Sequence, residues 1–290
     1  MPFWELTVPA SAEVSEALTN FLWEQGALGV IEEEIPSRPP RLRAFFPDTT
    51  SSTALCQAVS HYVASLCALG LTLNGGEPLV APLLDEAWAE AWRQAFTPQR
   101  VGRRLLIIPP WETPVMENGL RPIIIEPGRA FGTGTHGSTR GCLVLLEALL
   151  DRQPVAHALD VGTGSGILAI AAAVLGVQRV TALDTDPDAV TAAGANIELN
   201  GVANQIHCVL SDTASVKGPA LALVLANLLA GSHLALAPRY RRLVSPAGHL
   251  ILGGVLADEA AGIRDALAAH GFALADQVEI DGWVSLQLTR

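Results

Sequence analysis

Residues 155–176, VAHALDVGTGSGILAIAAAVLG, run from an apolar strand through a glycine-rich turn directly into a helix. No other stretch narrows the choice of fold so far. Glycines at 162, 164 and 166 let the backbone reverse sharply and approach a ligand without Cβ clashes, as the first βα turn of a Rossmann-like sheet requires. The alternation then continues. RVTALD reads as a strand, DAVTAAGANIELN as a helix, IHCVL and LALVLAN as strands, residues 232–243 as a helix and HLILGGV as another strand. Repeated βαβ order implies a parallel sheet with helices on both faces. FALADQVEI and WVSLQLT, separated by Asp281-Gly282, are expected to form a hairpin that finishes the sheet as an antiparallel edge. The expected class is α/β, with a mostly parallel seven-stranded Rossmann-like sheet.

The first part of the chain follows a different plan. FWELTV alternates as a strand, residues 11–25 read as a helix ended by Gly26, LGVIEEE and RLRAFFP as a strand pair, residues 52–69 as a second helix, and LTLNGGEPLV closes the set. That β-α-β-β-α-β order predicts a small ferredoxin-like α+β domain over residues 1–80. The stretch 83–96, LLDEAWAEAWRQAF, places Trp88 and Trp92 on one helical face and reads as a connector, giving a linker over 81–101. LLIIPP and PIIIEP are short apolar runs suited to strands, and residues 102–290 form the second domain.

The spacing of the glycine turn selects among ligands. A dinucleotide site wants G-x-G-x-x-G, but position 167 is Ile167, and the third glycine falls one residue early. Asp160, just before the turn, repels a pyrophosphate and attracts an ammonium group. Asp184 ends the next strand, 22 residues after Gly162, where an acid accepts both hydroxyls of a ribose. Together these features favour S-adenosylmethionine over a nicotinamide dinucleotide.

Asn227 ends the fourth strand of the alternating part, which should lie beside the first, at the point where open α/β sheets place their ligands. Methyl transfer from a sulfonium is an in-line displacement that needs a lone pair on the acceptor. A lysine amine, with a pKa near 10.4, is almost wholly protonated at neutral pH. The amide oxygen of Asn227, with the Leu228 carbonyl nearby, is expected to hold the N–H groups of a neutral amine and aim its lone pair at the methyl. Positioning alone supplies a large part of such an acceleration. Asn227 is thus the expected catalytic residue.

Composition excludes other classes. The chain is 50% apolar and 16% charged, which rules out a disordered protein. Its net charge is −11 with a single lysine, Lys217, so direct nucleic-acid binding is not expected; the acidity either serves solubility alone or attracts a basic partner. Nine of the acids fall within residues 1–80, against three arginines. The four cysteines are scattered and the histidines lack ligand spacing, so no metal site is expected. The most apolar windows are too short or too interrupted to span a membrane, and MPFWELTVPA lacks the features of a secretion signal, so a cytoplasmic address is expected.

The blocks DEAWAEAWRQAFTPQRVGRRLLIIPPWE, EPGRAFGTGTHGST, LDVGTGSGILAIAA, DTDPDAV and ANLLAG, in this order, resemble those of the bacterial ribosomal protein L11 methyltransferases. The likeness spans nearly the whole chain. The glycine turn is shared by many class I methyltransferases, and the pairing of AFGTGTH with ANLLAG is far more specific. The resemblance implies methyl transfer from S-adenosylmethionine to lysine side chains, and in some members the N-terminal amine, of a free, basic, large-subunit ribosomal protein. It also implies that the ferredoxin-like domain captures that protein and swings on the connector helix. Carried over by position, Thr139, Gly162, Asp184 and Asn227 contact the cofactor, with Gly164 and Phe131 beside it. Ser138 stands where threonine is common and Leu228 where isoleucine is usual, and both preserve the chemistry.

Under this reading the turn at 162–166 forms the cofactor floor. The earlier glycine-rich stretch, 127–139, brings helix N-terminal amides and Thr139 to the cofactor's carboxylate. Gly132 and Gly134 would let it fold over the ligand with Phe131 as an apolar lid. His136 is open to two readings, a general base or a support of the loop. Alternative activities are methylation of another protein's lysine or glutamine, a dinucleotide-dependent oxidoreduction, and cofactor binding without turnover.

Overall fold

A computed structural model of the chain describes residues 3–33, 40–47, 49–71, 76–83, 96–113, 119–128 and 130–290. The chain divides into two compact units, Met1–Thr97 with Pro127–Arg129, and Pro98–Glu126 with Ala130–Arg290. Most of the expected connector helix over 83–96 lies outside the described residues.

In the first unit the elements are β1 (Phe3–Pro9), α1 (Ala12–Glu24), β2 (Gly29–Glu33), β3 (Arg41–Pro47), α2 (Ser52–Ala68) and β4 (Leu79–Leu83). They make an antiparallel sheet in the order β2-β3-β1-β4, the ferredoxin-like arrangement. Alternating residues of β1 and β3, among them Leu6, Val8, Leu42 and Phe46, face Val14, Leu18 and Leu22 of α1 and Val59 of α2 in one buried core. Residues 72–75 of the last strand, expected over 71–80, lie outside the described residues, and the described pairing with β1 covers Leu79–Leu83. Just before it Gly76 takes a left-handed φ of 105° and Pro78 has no N–H to pair.

The second unit opens with a small sheet of β5 (Gln99–Val101), β6 (Leu105–Ile108) and β7 (Arg121–Ile124), in which the last two are parallel. A helix, α3 (Gly137–Arg152), leads into β8 (His157–Val161), α4 (Ile167–Val174), β9 (Arg179–Asp184), α5 (Pro187–Leu199) and β10 (Ile206–Leu210). Next come β11 (Leu221–Asn227), α6 (Ala230–Leu243), β12 (Val244–Leu256), α7 (Ala260–Ala269), β13 (Ala273–Ile280) and β14 (Trp283–Thr289). The seven-stranded sheet has the order β10-β9-β8-β11-β12-β14-β13. Strand order reverses at β8 and β11, where an α/β sheet opens its ligand crevice.

Alternation along the central strands sets the two faces. Ala158, Ala182, Leu223, Leu225 and Ile251 join the core under α3, α4 and α5. Leu159, Leu183, Val224, Ala226 and Leu252 join the core under α6 and α7. The final hairpin finishes the sheet as expected, with β14 paired antiparallel between β12 and β13 and β13 outermost. Burial explains the choice: β14 is buried along nearly its whole length, while β13 is mostly exposed. A strand covered on both faces belongs inside a sheet.

Candidate active site

The glycine turn is built by three left-handed residues. Gly162, Gly164 and Gly166 have φ of 67°, 54° and 84°. Both Gly162 and Thr163 donate their amides to the Leu183 carbonyl, at 2.9 and 3.0 Å, which pins the turn to the end of β9. A Cβ on Gly164 would stand 2.5 Å from the Phe131 carbonyl oxygen, and one on Gly162 would stand 2.4 Å from Leu228 Cδ2. No other residue fits at either position without displacing a neighbour.

The two glycine-rich stretches are in direct contact. Ser165 donates its amide to the Phe131 carbonyl (2.9 Å) and its hydroxyl to the Gly132 carbonyl (2.6 Å). Gly132 and Gly134 are left-handed, with φ of 102° and 91°, and closely packed. A Cβ on Gly132 would meet Ser165 Oγ at 2.9 Å, and one on Gly134 would meet Ile107 at 2.8 Å. Their absence of a side chain serves packing. The Phe131 ring is 39% exposed and stands edge-on to His136, with 5.4 Å between centroids.

His136 is the N-cap of α3, where Nδ1 accepts from the Ser138 amide and lies 2.8 Å from the Ser138 hydroxyl. Its ring also tilts against Trp283 at 4.6 Å. Burial pushes its pKa down to about 4, partly opposed by Asp281, so it is neutral at physiological pH with Nδ1 engaged. Of the two readings, the geometry favours support of the loop.

Strand register places the expected acidic and amide residues together. Val161 pairs with Leu183 on one side and Ala226 on the other, so Asp184 and Asn227 flank the glycine turn at one level. By alternation with Ala182 and Leu225, both side chains leave the sheet on the face covered by α3 and α4. Asp184 Oδ2 accepts from the Gly164 amide (3.0 Å) and Oδ1 from the Asp186 amide (3.1 Å). Each oxygen keeps a further lone pair. Asn227 Nδ2 donates to Oγ1 of Thr139, a fully buried residue in the first turn of α3, at 3.1 Å.

Two oxygens in this region are buried without a hydrogen-bond partner: Asp160 Oδ1 and Asn227 Oδ1. Buried acceptors are normally paired, and an orphaned one at a strand end calls for a donor from outside the chain. Asp160 is 1% exposed, and its other oxygen accepts from the Thr163 hydroxyl at 2.6 Å. Burial raises its pKa to about 7, opposed by the Thr163 hydroxyl and assisted by the charge of Asp184. A cationic amine supplies the donor that the first orphan lacks, and a neutral amine the donor for the second. The residues therefore fit a ligand carrying an ammonium and a ribose, next to a nitrogen acceptor.

Several supporting residues went unread in the sequence. Asn227 Oδ1 occupies the space of a Cβ on Gly253, 2.6 Å from its ideal position, and the Leu228 carbonyl lies 2.3 Å from that of Gly254. The Leu228 carbonyl, expected beside the Asn227 amide, is thus packed on the next glycine. A glycine pair inside an apolar strand is the available signal for such close approach. The Gly253 carbonyl accepts from the Leu228 amide (3.2 Å) and from His233 Nε2 (2.8 Å), while Tyr240 bonds His233 Nδ1 at 3.0 Å. Burial lowers the His233 pKa, so this histidine is a neutral strut. Among the described residues no cluster of His, Cys, Asp or Glu could hold a metal ion.

Comparison with known proteins shows what the whole chain is similar to. The family model for "Ribosomal protein L11 methyltransferase (PrmA)" matches residues 2–290. A ribosomal protein L11 methyltransferase of Pelobacter propionicus is 35% identical over 283 residues, covering 93% of this chain and 90% of that protein. One from Geobacter sulfurreducens is 42% identical over 237 residues, covering 80% and 76%. The crystal structure of a ribosomal protein L11 methylase from Lactobacillus delbrueckii subsp. bulgaricus superposes with a TM-score of 0.61 at 32% identity, over 67% of this chain and 99% of that one.

Proposed function

This chain belongs to the ribosomal protein L11 methyltransferase family, and we propose that it methylates amino groups of ribosomal protein L11 with S-adenosylmethionine as donor. The bound cofactor supplies an electrophilic methyl on its sulfonium; everything else is positioning by the chain. Asp160 Oδ1 takes the cofactor's ammonium, while the first-turn amides of α3 and the Thr139 hydroxyl take its carboxylate. Gly162 and Gly164 give the floor of the site, Asp184 accepts from the ribose hydroxyls, and Phe131 borders the site with its exposed ring. Asn227 Oδ1 receives an N–H of the incoming amine.

One observation carries this reading. Asn227 Nδ2 is tied to Thr139, so the amide orientation is fixed with its oxygen as a buried, unpartnered acceptor. An amide oxygen accepts from a neutral amine and leaves the nitrogen lone pair unused. A carboxylate there would favour the protonated, unreactive ammonium. We assign residues 1–80 to capture of the protein substrate, 81–101 to the connection and 102–290 to transfer. The excess of carboxylates in the first segment suits a basic ribosomal protein met free of the ribosome, and involves no nucleic acid. Among the described residues no helix is long and apolar enough to cross a membrane, and we place the reaction in the cytoplasm, where ribosomal proteins are made.

The test is mass spectrometry of purified ribosomal protein L11 after incubation with the enzyme and S-adenosylmethionine. Additions of 14 Da per methyl on lysine or on the N-terminal amine support the proposal. An unmodified L11, with label appearing on another protein's lysine or glutamine, would reassign the acceptor.

A further inference from the structure

Helix α5 carries Asn196 and is capped at its C-terminus by Asn200, four residues on and therefore on the same face. Asn200 Oδ1 accepts from the Ile124 amide (2.8 Å) and its Nδ2 donates to the Ile124 carbonyl (2.6 Å). Asn196 Oδ1 accepts from the Glu126 amide at 3.0 Å. Four helical residues rise about 6 Å and two strand residues about 6.8 Å, so the two side chains meet successive amides on one edge of the extended chain. They act as an edge strand would.

Asn196 does something that Asn200 does not. Its Nδ2 donates to the Ser165 carbonyl at 2.9 Å. Asn196 is 1% exposed and Ser165 is 2% exposed, so neither end of this bond has water as a substitute. Ser165 is the residue whose amide and hydroxyl hold the Phe131 and Gly132 carbonyls. One amide group therefore joins the chain entering the earlier glycine-rich stretch to the turn that faces the cofactor, and Ser165 joins that turn to Phe131 and Gly132. We infer that Asn196 is a positioning residue for the cofactor site, locking the stretch around Phe131 and the turn at 162–166 into one preformed element before any ligand arrives. This rests on the reading of that turn as the cofactor floor.

Removing the Asn196 amide leaves the buried Ser165 carbonyl without this partner, at the base of the site, and frees the Glu126 amide. Asn200 serves as the control, since it caps the same helix and holds the same extended segment but makes no bond to Ser165. The experiment compares Asn196→Ala and Asn200→Ala with wild type, by titration with S-adenosylhomocysteine and by amide hydrogen exchange without ligand. Asn196→Ala is expected to raise the dissociation constant about tenfold, the size of one lost buried hydrogen bond. It should also speed exchange at 131–135 and 163–166. Asn200→Ala should leave the dissociation constant within about twofold of wild type even where it lowers the melting temperature.

Wild-type affinity and protection in Asn196→Ala, or equal weakening by both substitutions, would overturn the inference. Should Asn196→Ala not fold, Ser165→Ala cuts only the hydroxyl bond to Gly132, and an affinity within about twofold of wild type then contradicts the coupling. A wild-type protein that binds no S-adenosylhomocysteine would instead remove the cofactor reading, and the exchange comparison would still decide whether Asn196 locks the two stretches.

Discussion

Asn227 Nδ2 donates to Thr139 Oγ1 at 3.1 Å, joining the end of β11 to the first turn of α3 across 88 residues of sequence. This bond fixes which end of the Asn227 amide is left as a buried acceptor without a hydrogen-bond partner. It also uses an acceptor lone pair of the threonine, so the threonine's own hydrogen is left to donate to a ligand.

The bond makes a direct prediction for Thr139. Thr139→Val keeps the volume and removes the acceptor, so the amide loses its fixed orientation. Turnover should fall about tenfold or more, from the loss of one buried hydrogen bond at the reacting end. Thr139→Ser keeps the hydroxyl and should retain most of the activity in a steady-state assay with labelled cofactor.

Asp160 predicts a pH dependence of binding. Its pKa lies at about 7 in the ligand-free protein, because burial disfavours the carboxylate. The ligand's ammonium is held by the ionised form, so affinity for S-adenosylhomocysteine should rise with pH and level off above about 7. Titration calorimetry across this range reads the slope, and Asp160→Asn should flatten it and weaken binding. The same group predicts the opposite trend for stability. The folded pKa is above the 3.8 of an unperturbed aspartate, so the folded state holds the proton more tightly. Its contribution to stability is fully present below about 3.8 and is lost as the pH rises through about 7.

Gly164 predicts a backbone limit. Its φ of 54° is left-handed, and a Cβ would stand 2.5 Å from the Phe131 carbonyl oxygen. Gly164→Ala should cost about 1–2 kcal/mol from the backbone conformation alone, and should push the two stretches apart. A lower midpoint in chemical denaturation, together with weakened cofactor binding, checks both consequences.

Glu147 offers a test of stability away from the site. It is 3% exposed and accepts from the backbone amides of Arg103 and Arg104 at 2.8 and 2.7 Å, with Arg104 Nε at 3.3 Å. A Cβ on Gly102 would collide with its carboxylate, so the turn between β5 and β6 is folded around this side chain. Glu147→Ala strands two amide donors and should cost about 2–4 kcal/mol in denaturant unfolding. Activity per folded molecule should stay near wild type.

Which parts of the molecule were legible beforehand depends on how far the relevant signal reaches along the chain. The glycine turn, Asp184 and Asn227 sit at strand ends, where local alternation fixes both position and face, so short stretches of sequence suffice. The first-unit topology was readable for the same reason. The Asp281-Gly282 turn announces the hairpin but not which of its strands lies inside. Trp283–Thr289 alternates apolar and polar residues, so the burial of both its faces, Ser285 and Gln287 included, shows only in the fold. At Gly132 and Gly134 the sequence looks the same whether a glycine lets the chain bend or makes room for a neighbour. Only the arrival of Ser165 and Ile107 against them distinguishes the two. The Asn196 and Glu147 bonds join segments 70 and 44 residues apart, and no local pattern announces them.

The central claim is that Asn227 holds a neutral amine of ribosomal protein L11 in line with a sulfonium methyl. The most direct measurement is transfer of labelled methyl to purified L11 by wild type, Asn227→Ala and Asn227→Asp, with S-adenosylhomocysteine affinity measured in parallel. The account predicts label on amino groups of L11 with wild type, and a loss of turnover in both variants far larger than any loss of cofactor affinity. Wild-type turnover in Asn227→Ala, or an L11 left unlabelled by an enzyme that binds the cofactor, would contradict it.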